Sequence, residues 1–293
     1  MRNLFQSLLT LGLLTFAYST YAGQLALVID DFGYRPTEEH KVISLPNAIS
    51  IAVLPDAPHS RSMAILAHQA GHEVLIHLPM APMSKQPLEV NTLTPEMSQN
   101  QVQSIIEHAI RQVPYAVGLN NHMGSRMTSS LPAMQKVMSV LNHHQLYFLD
   151  SVTIGNTQAV NAARGTSVKV LKRNVFLDDT QNEADIRYQF QRAVKLAQRN
   201  GSAIAIGHPH PTTVKVLQQL LPTLPADVKL VRLSQLLSRT PISAQSPSKP
   251  QLSLDARCPR THPLRQHKPA EGVMIIYTSL RDSQFMRNIK ALF

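Results

Sequence analysis

Leu25-Ala26-Leu27-Val28-Ile29-Asp30-Asp31-Phe32-Gly33-Tyr34 is an apolar run that ends in two adjacent carboxylates and a glycine. The run reads as a short buried strand and the glycine as the start of a loop. Two carboxylates at a strand end repel each other, and burying either one alone is costly. A cation or a shared proton between them removes that conflict. Three later apolar runs end in histidine or are soon followed by one: Leu75-Ile76-His77, Gly118-Leu119-Asn120-Asn121-His122 and Ile204-Ala205-Ile206-Gly207-His208. Carboxylate plus imidazoles at strand ends is the donor set of a hydrolytic metal site.

Around these runs, apolar stretches alternate with helical patterns. Strands are expected over 25–30, 49–54, 73–77, 116–119, 146–150, 168–171, 203–207 and 229–232. Helices are expected over 60–70, 98–111, 131–144, 183–200 and 211–221. Ser98 and Gln101 have the spacing of a capping box, as do Thr180 and Glu183. Pro132 suits a first helical turn, and Gly201 a helix stop. Strand–helix alternation at this pitch predicts an α/β fold with a mainly parallel sheet. Seven or eight such units predict a distorted (β/α) barrel, closed or nearly closed, whose site lies at the carboxyl ends of its strands. Asp30, Asp31, His77, His122, Asp150 and His208 all fall at or just beyond such ends.

The ends of the chain differ from this middle. Residues 1–22 combine Arg2, a short apolar stretch and Thr20-Tyr21-Ala22, the pattern of a cleavable signal peptide. An uncleaved anchor is the alternative reading. The domain is expected over 23–240. Residues 241–293 are rich in Pro, Ser and basic residues and read as a tail without a packed core. Val273–278 is apolar within that tail and has no assigned place. Cys258 is the one cysteine, so no intramolecular disulfide forms. These features predict an exported protein of a bacterial periplasm, without a transmembrane segment once the leader is removed. The net charge of +10 fits an anionic glycan, a membrane surface or simply a solvated basic face. No Lys/Arg block with interleaved aromatics points to nucleic acid. The sequence is silent on oligomeric state.

The segments Val28-Ile29-Asp30-Asp31-Phe32-Gly33, Ala52-Val53-Leu54-Pro55, Gly71-His72-Glu73-Val74-Leu75-Ile76-His77-Leu78-Pro79-Met80, Asn120-Asn121-His122-Met123-Gly124-Ser125 and Gly207-His208-Pro209-His210-Pro211 together resemble the divergent polysaccharide deacetylase family, a branch of the NodB-type carbohydrate esterases. The resemblance spans roughly residues 24–237. It implies a deacetylase-like barrel, a divalent metal (most naturally zinc), and an amino-sugar polymer of the cell envelope as partner. It also implies Asp30 as general base, Asp31 and His77 as metal ligands, and His208 as general acid, with His210 its rival. The second metal histidine of the superfamily is absent, because position 81 is Ala81. His122, at the same rim, is the expected replacement. Asp150 is expected to orient His208, to hold a sugar hydroxyl, or to cap a turn. His59 and Asp56 follow the second strand, where a groove-lining and a turn role both remain open. Arg126 is the candidate partner for Asp30. The resemblance thus implies a metal-dependent deacetylase. The contrasting expectation is a glycan-binding or assembly protein that keeps the scaffold without the catalysis, which the missing histidine favours.

Overall fold

The computed structural model describes residues 23–238. The expected leader, the 241–293 tail and Cys258 lie outside the described residues.

The strands are β1 (Gly23–Phe32), β2 (Ser50–Val53), β3 (Glu73–Met80), β4 (Ala116–Met123), β5 (Tyr147–Asp150), β6 (Val170–Lys172), β7 (Val175–Phe176), β8 (Ser202–Gly207) and β9 (Val228–Leu230). The helices are α1 (Pro36–Ile43), α2 (Ser60–Gln69), α3 (Gln99–Gln112), α4 (Ser125–Thr128), α5 (Leu131–His144), α6 (Ala159–Ala162), α7 (Glu183–Asn200) and α8 (Pro211–Leu220). Every strand pairing is parallel, in the order β6-β5-β4-β3-β2-β1-β8-β7, with β9 added beside β1.

The two ends of that order are joined by only Arg173 and Asn174. The Arg173 amide donates to Asp150 O at 3.0 Å, on the β5 side. The Asn174 amide donates to Ile204 O at 2.8 Å, and its side-chain oxygen accepts from the Ile204 amide at 2.8 Å, on the β8 side. One extended segment, 170–176, therefore pairs first with one edge of the sheet and then with the other. It curls the sheet into the distorted barrel expected from the strand count. β7 escaped the sequence reading because two residues carry no periodicity.

Strand alternation divides the apolar residues into two layers. Ala26, Val28, Ala52, Leu75, Leu149 and Ile206 fill the barrel interior. Leu25, Leu27, Ile51, Ile76, Leu119 and Phe148 point outward and pack with the helices. The amino-terminal end is plugged by the turn Leu233–Leu236, which inserts Leu233 and Leu236 beneath the interior layer. Glu73 is buried there. It accepts hydrogen bonds from Tyr147 Oη at 2.6 Å and from the Ser234 amide at 3.1 Å. Burial and the Glu73 charge hold the Tyr147 phenol well above its usual range, so it stays a donor. Gly118 makes room for that ring, since a Cβ there would lie 2.7 Å from it. Tyr147→Phe is expected to cost about 1.5–3 kcal/mol, the worth of a hydrogen bond to a charged group. Urea unfolding would read it as a lower midpoint with an unchanged slope.

Several local expectations hold to the residue. The capping box at Ser98 and Gln101 is present, Pro132 lies in the first turn of α5, and Gly201 ends α7 with φ 75°. One does not: α7 is capped not by Thr180 but by Asn182, whose side chain accepts from the Asp185 amide. Asn182 has the extended backbone that an N-cap needs immediately before the helix. α1 was not foreseen.

Candidate functional site

The carboxyl ends of β1, β3, β4 and β8 meet at one rim. Regular alternation would send Asp30 and Asp31 to opposite faces. Between Ile29 and Phe32, however, the β1–β2 register shifts, and Asp31 adopts φ 59°. This bulge turns Asp31 back over the barrel mouth beside Asp30. Aspartate tolerates that left-handed conformation better than most residues. The following loop is held by buried Glu39, whose Oε1 accepts from the amides of Gly33, Tyr34 and Arg35 at 2.9, 3.0 and 2.6 Å.

In the β3–β4 ladder His77 lies opposite Asn120, and Pro79 opposite His122. His122 is thus one interior layer above His77 on the neighbouring strand, inside β4 and not beyond it. Three donor atoms converge there. His77 Nε2 is 3.1 Å from His122 Nδ1 and 3.2 Å from Asp31 Oδ1, and His122 Nδ1 is 3.1 Å from the same oxygen. Tetrahedral zinc with bonds of about 2.0–2.1 Å sets its ligands about 3.3 Å apart, so the triangle fits such an ion. Asp31 Oδ1 is buried and accepts no well-directed hydrogen bond, as expected of an oxygen that faces a cation site. Asp31, His77 and His122 form one of two carboxylate–imidazole groups among the described residues that could hold a metal.

Asn120 sets the protonation of this group. Its amide nitrogen donates to both Asp30 oxygens at 2.9 and 3.0 Å. Its oxygen must then accept from His77 Nδ1, at 2.8 Å. That places a proton on His77 Nδ1, so Nε2 is the atom left to bind a cation at the triangle. Burial raises the Asp30 carboxyl above its usual range, although His77 and His208 oppose the shift. Burial acts the same way on Asp31, but contacts from His122 and His77 prevail and hold it well below that range.

His208 stands across the mouth with Nε2 3.8 Å from Asp31 Oδ2. Its Nδ1 meets Asp178 Oδ1 at 2.9 Å. The other Asp178 oxygen accepts from the His208 amide at 2.7 Å and from Thr213 Oγ1 at 2.8 Å. Burial disfavours charge on His208, yet Asp178 and Asp31 outweigh it and raise its pKa to about 9. His210 is the second histidine of this loop. Its Nδ1 lies 2.9 Å from Arg35 Nη1, a group that can only donate, so that nitrogen is unprotonated. Burial, His208 and Arg35 push its pKa down despite Asp178.

Asp150 caps a turn, one of its expected roles, and does not orient His208. It shares its strand face with Phe148, which points outward, and its Oδ1 accepts from the Val152 amide at 2.9 Å. The orienting carboxylate is Asp178. Arg126 does not meet Asp30; it lies on α4, exposed, and pairs with Glu96. The arginine facing Asp30 is Arg173, held by the carbonyls of Ser151 at 2.6 Å and Val152 at 3.0 Å and stacked 4.9 Å above Phe176. Burial lowers the Arg173 pKa, and Asp30 opposes this. His59 precedes α2, is exposed and lies outside both clefts described next; Asp56 instead binds His108 Nε2 at 2.7 Å and Asn91 Nδ2 at 2.9 Å.

Two clefts flank the triangle. One of about 390 Å³ runs past Asp30, Arg173, Phe176 and Val152. The other, of about 190 Å³, lies between Tyr34, Arg35, Glu89 and His210. His122 and His208 border both.

A curled, all-parallel barrel with its polar residues at the carboxyl rim places the protein among the deacetylase-like α/β barrels. The chain belongs to the divergent polysaccharide deacetylase family, whose model matches residues 27–237. It is 64% identical over 238 residues to the uncharacterized protein YibQ of Escherichia coli K12, covering 81% of this chain and 75% of that one. It is 38% identical over 253 residues to an uncharacterized protein of Haemophilus influenzae, covering 86% and 89%. The crystal structure of the uncharacterized protein ATU2773 from Agrobacterium tumefaciens C58 has the same fold, with a TM-score of 0.68 at 21% identity, covering 73% of this chain and 89% of that one. Among the described residues no helix is long and apolar enough to cross a membrane.

Proposed function

We propose that the protein is an exported, metal-dependent hydrolase that removes acetyl groups from an amino-sugar polymer of the bacterial cell envelope. One observation carries this reading: His77 Nε2, His122 Nδ1 and Asp31 Oδ1 converge within 3.2 Å of one another between Asp30 and His208. Family membership supports carbohydrate as the substrate class. The leader pattern of residues 1–22 supports export to the periplasm.

Asp31, His77 and His122 would hold the metal, and nitrogen and oxygen donors of this kind favour zinc. Such an ion would lower the pKa of a water and polarise the acetyl carbonyl. Asp30 takes the proton as the water oxygen attacks the carbonyl carbon. Asn120 holds the Asp30 carboxylate for that task. When the carbon–nitrogen bond breaks, His208 Nε2 protonates the departing nitrogen, leaving acetate and a free amine. His208 suits an acid because Asp178 keeps it charged to about pH 9. His210 lines the smaller cleft, where it would face a bound sugar. Arg173 and Phe176 form the wall of the larger one.

The competing reading is a glycan-binding protein without catalysis, suggested by Ala81. That position is buried with its carbonyl accepting from the Arg126 and Met127 amides. His122 supplies an imidazole nitrogen at the triangle instead, which supports catalysis. Metal analysis and acetate release from chitooligosaccharide or peptidoglycan separate the two. One equivalent of zinc with acetate release supports the hydrolase; glycan binding without either supports the alternative.

The acid assignment makes a further prediction. An acid must be protonated, so turnover falls as pH rises through the His208 pKa, about 9. Asp178→Asn removes the hydrogen-bonded carboxylate that does most, ahead of Asp31, to raise this pKa. The alkaline limb of the kcat profile is expected to move to lower pH, while the acid limb, set by Asp30, stays in place. An unmoved alkaline limb would reassign the acid.

A further inference from the structure

We propose that Glu89 is a positioning residue for the metal, holding the His122 ring so that Nδ1 meets Asp31 and His77. The inference rests on the metal reading of that triangle. His122 turns its other nitrogen, Nε2, away from the triangle and toward Glu89 Oε1, 3.3 Å away. That nitrogen is buried and has no well-directed hydrogen-bond partner among the described residues. A neutral imidazole carries one N–H. With the proton on Nε2, facing a carboxylate, the Nδ1 lone pair is free for the cation.

His77 shows the opposite arrangement. It is protonated on Nδ1 and offers Nε2, because Asn120 stands behind it. The two rings therefore present different nitrogens, and each needs its own holder. Strand β4 supplies the amide for His77. The carboxylate for His122 comes from outside the barrel, on the long connection between β3 and α3.

That connection is fastened on both sides of Glu89. The Met83 amide donates to Ser125 Oγ at 2.8 Å. Asn91 has φ 58° and donates from Nδ2 to Asp56 Oδ2 at 2.9 Å. Leu93 bridges to Met80, and its amide donates to Pro79 O at 2.9 Å. Asp56, expected near the groove, thus acts at a distance by anchoring the loop that delivers Glu89.

Groups that orient metal-binding histidines typically contribute about 10–100-fold to metal affinity. The test is zinc affinity, measured by competition with a chromophoric chelator on the full chain. Glu89→Ala is expected to weaken zinc about 10–100-fold, and Glu89→Gln, which keeps an acceptor without the charge, by less. Glu96→Ala, on the same connection but paired with Arg126, is the control and is expected to bind as the wild type does. A second readout needs no metal. In the metal-free protein Glu89 and Asp31 compete for the His122 ring proton, so nitrogen-15 NMR should find that proton shifted toward Nδ1 in Glu89→Ala relative to the wild type. Unchanged zinc affinity in Glu89→Ala, or a His122 tautomer that does not respond to that substitution, overturns the proposal. A wild type that takes up no zinc overturns the metal reading itself, and the tautomer then reports separately whether Glu89 holds the ring.

Discussion

His122→Ala should purify without zinc and lose turnover by at least about a thousandfold. The triangle has three protein donors, and removing one leaves Asp31 and His77 to hold a cation alone. Catalytic zinc sites keep three protein ligands and one open position, so a pair of donors falls short. The loss should appear first in metal content, by elemental analysis, and only then in acetate release. The fold should persist, because His122 lies at the rim, above the interior layer. Retained zinc in His122→Ala would mean that the metal is held elsewhere. The second carboxylate–imidazole group, Asp178, His208 and His210, would then be the place to look.

Asp30→Asn should separate chemistry from metal binding. The substitution keeps size and shape but removes the proton acceptor. General-base catalysis contributes about 10²–10⁴-fold, and kcat should fall by that much. Zinc content should stay near the wild-type value, because Asp30 Oδ2 stands off from His77 Nε2 at 3.6 Å and lies outside the triangle. A pH profile gives a second check. Burial lifts the Asp30 carboxyl above its usual range. Wild-type activity should therefore fall as pH drops through that raised value, and the residual activity of Asp30→Asn should lack this acid limb. Full activity in the variant would remove Asp30 from the reaction.

Much of the architecture was legible because long apolar runs announce buried parallel strands, and capping residues announce helix ends. Convergence at the rim was legible for a related reason. Polar residues that follow apolar runs in a parallel barrel have one end of the molecule in common. What escaped depends on side-chain direction. Asp150 ends its strand as expected, but the alternation set by Leu149 in the interior turns it outward. Asp178 follows a two-residue strand too short to register as one. Arg126 is near His122 in sequence, yet α4 carries it to the surface. Arg173 occupies the expected place near Asp30 and follows only a weak apolar stretch. The left-handed turn at Asp31, which brings both carboxylates to the same mouth, has no composition signal because Phe32 and Gly33 fit several loops. Asn120 was part of a recognised segment, but its task of aligning Asp30 with His77 is visible only in space.

The splice at Arg173–Asn174 has a consequence for ligand binding. The stretch that zips the cylinder shut also supplies Arg173 and Phe176 to the larger cleft, and it leads directly into Asp178. Unfastening it would fan the sheet open and carry this wall away from Asp30 in a single event. A sugar chain lodged against that wall would brace the zip, so occupancy of the cleft and resistance to opening are one equilibrium viewed from two sides.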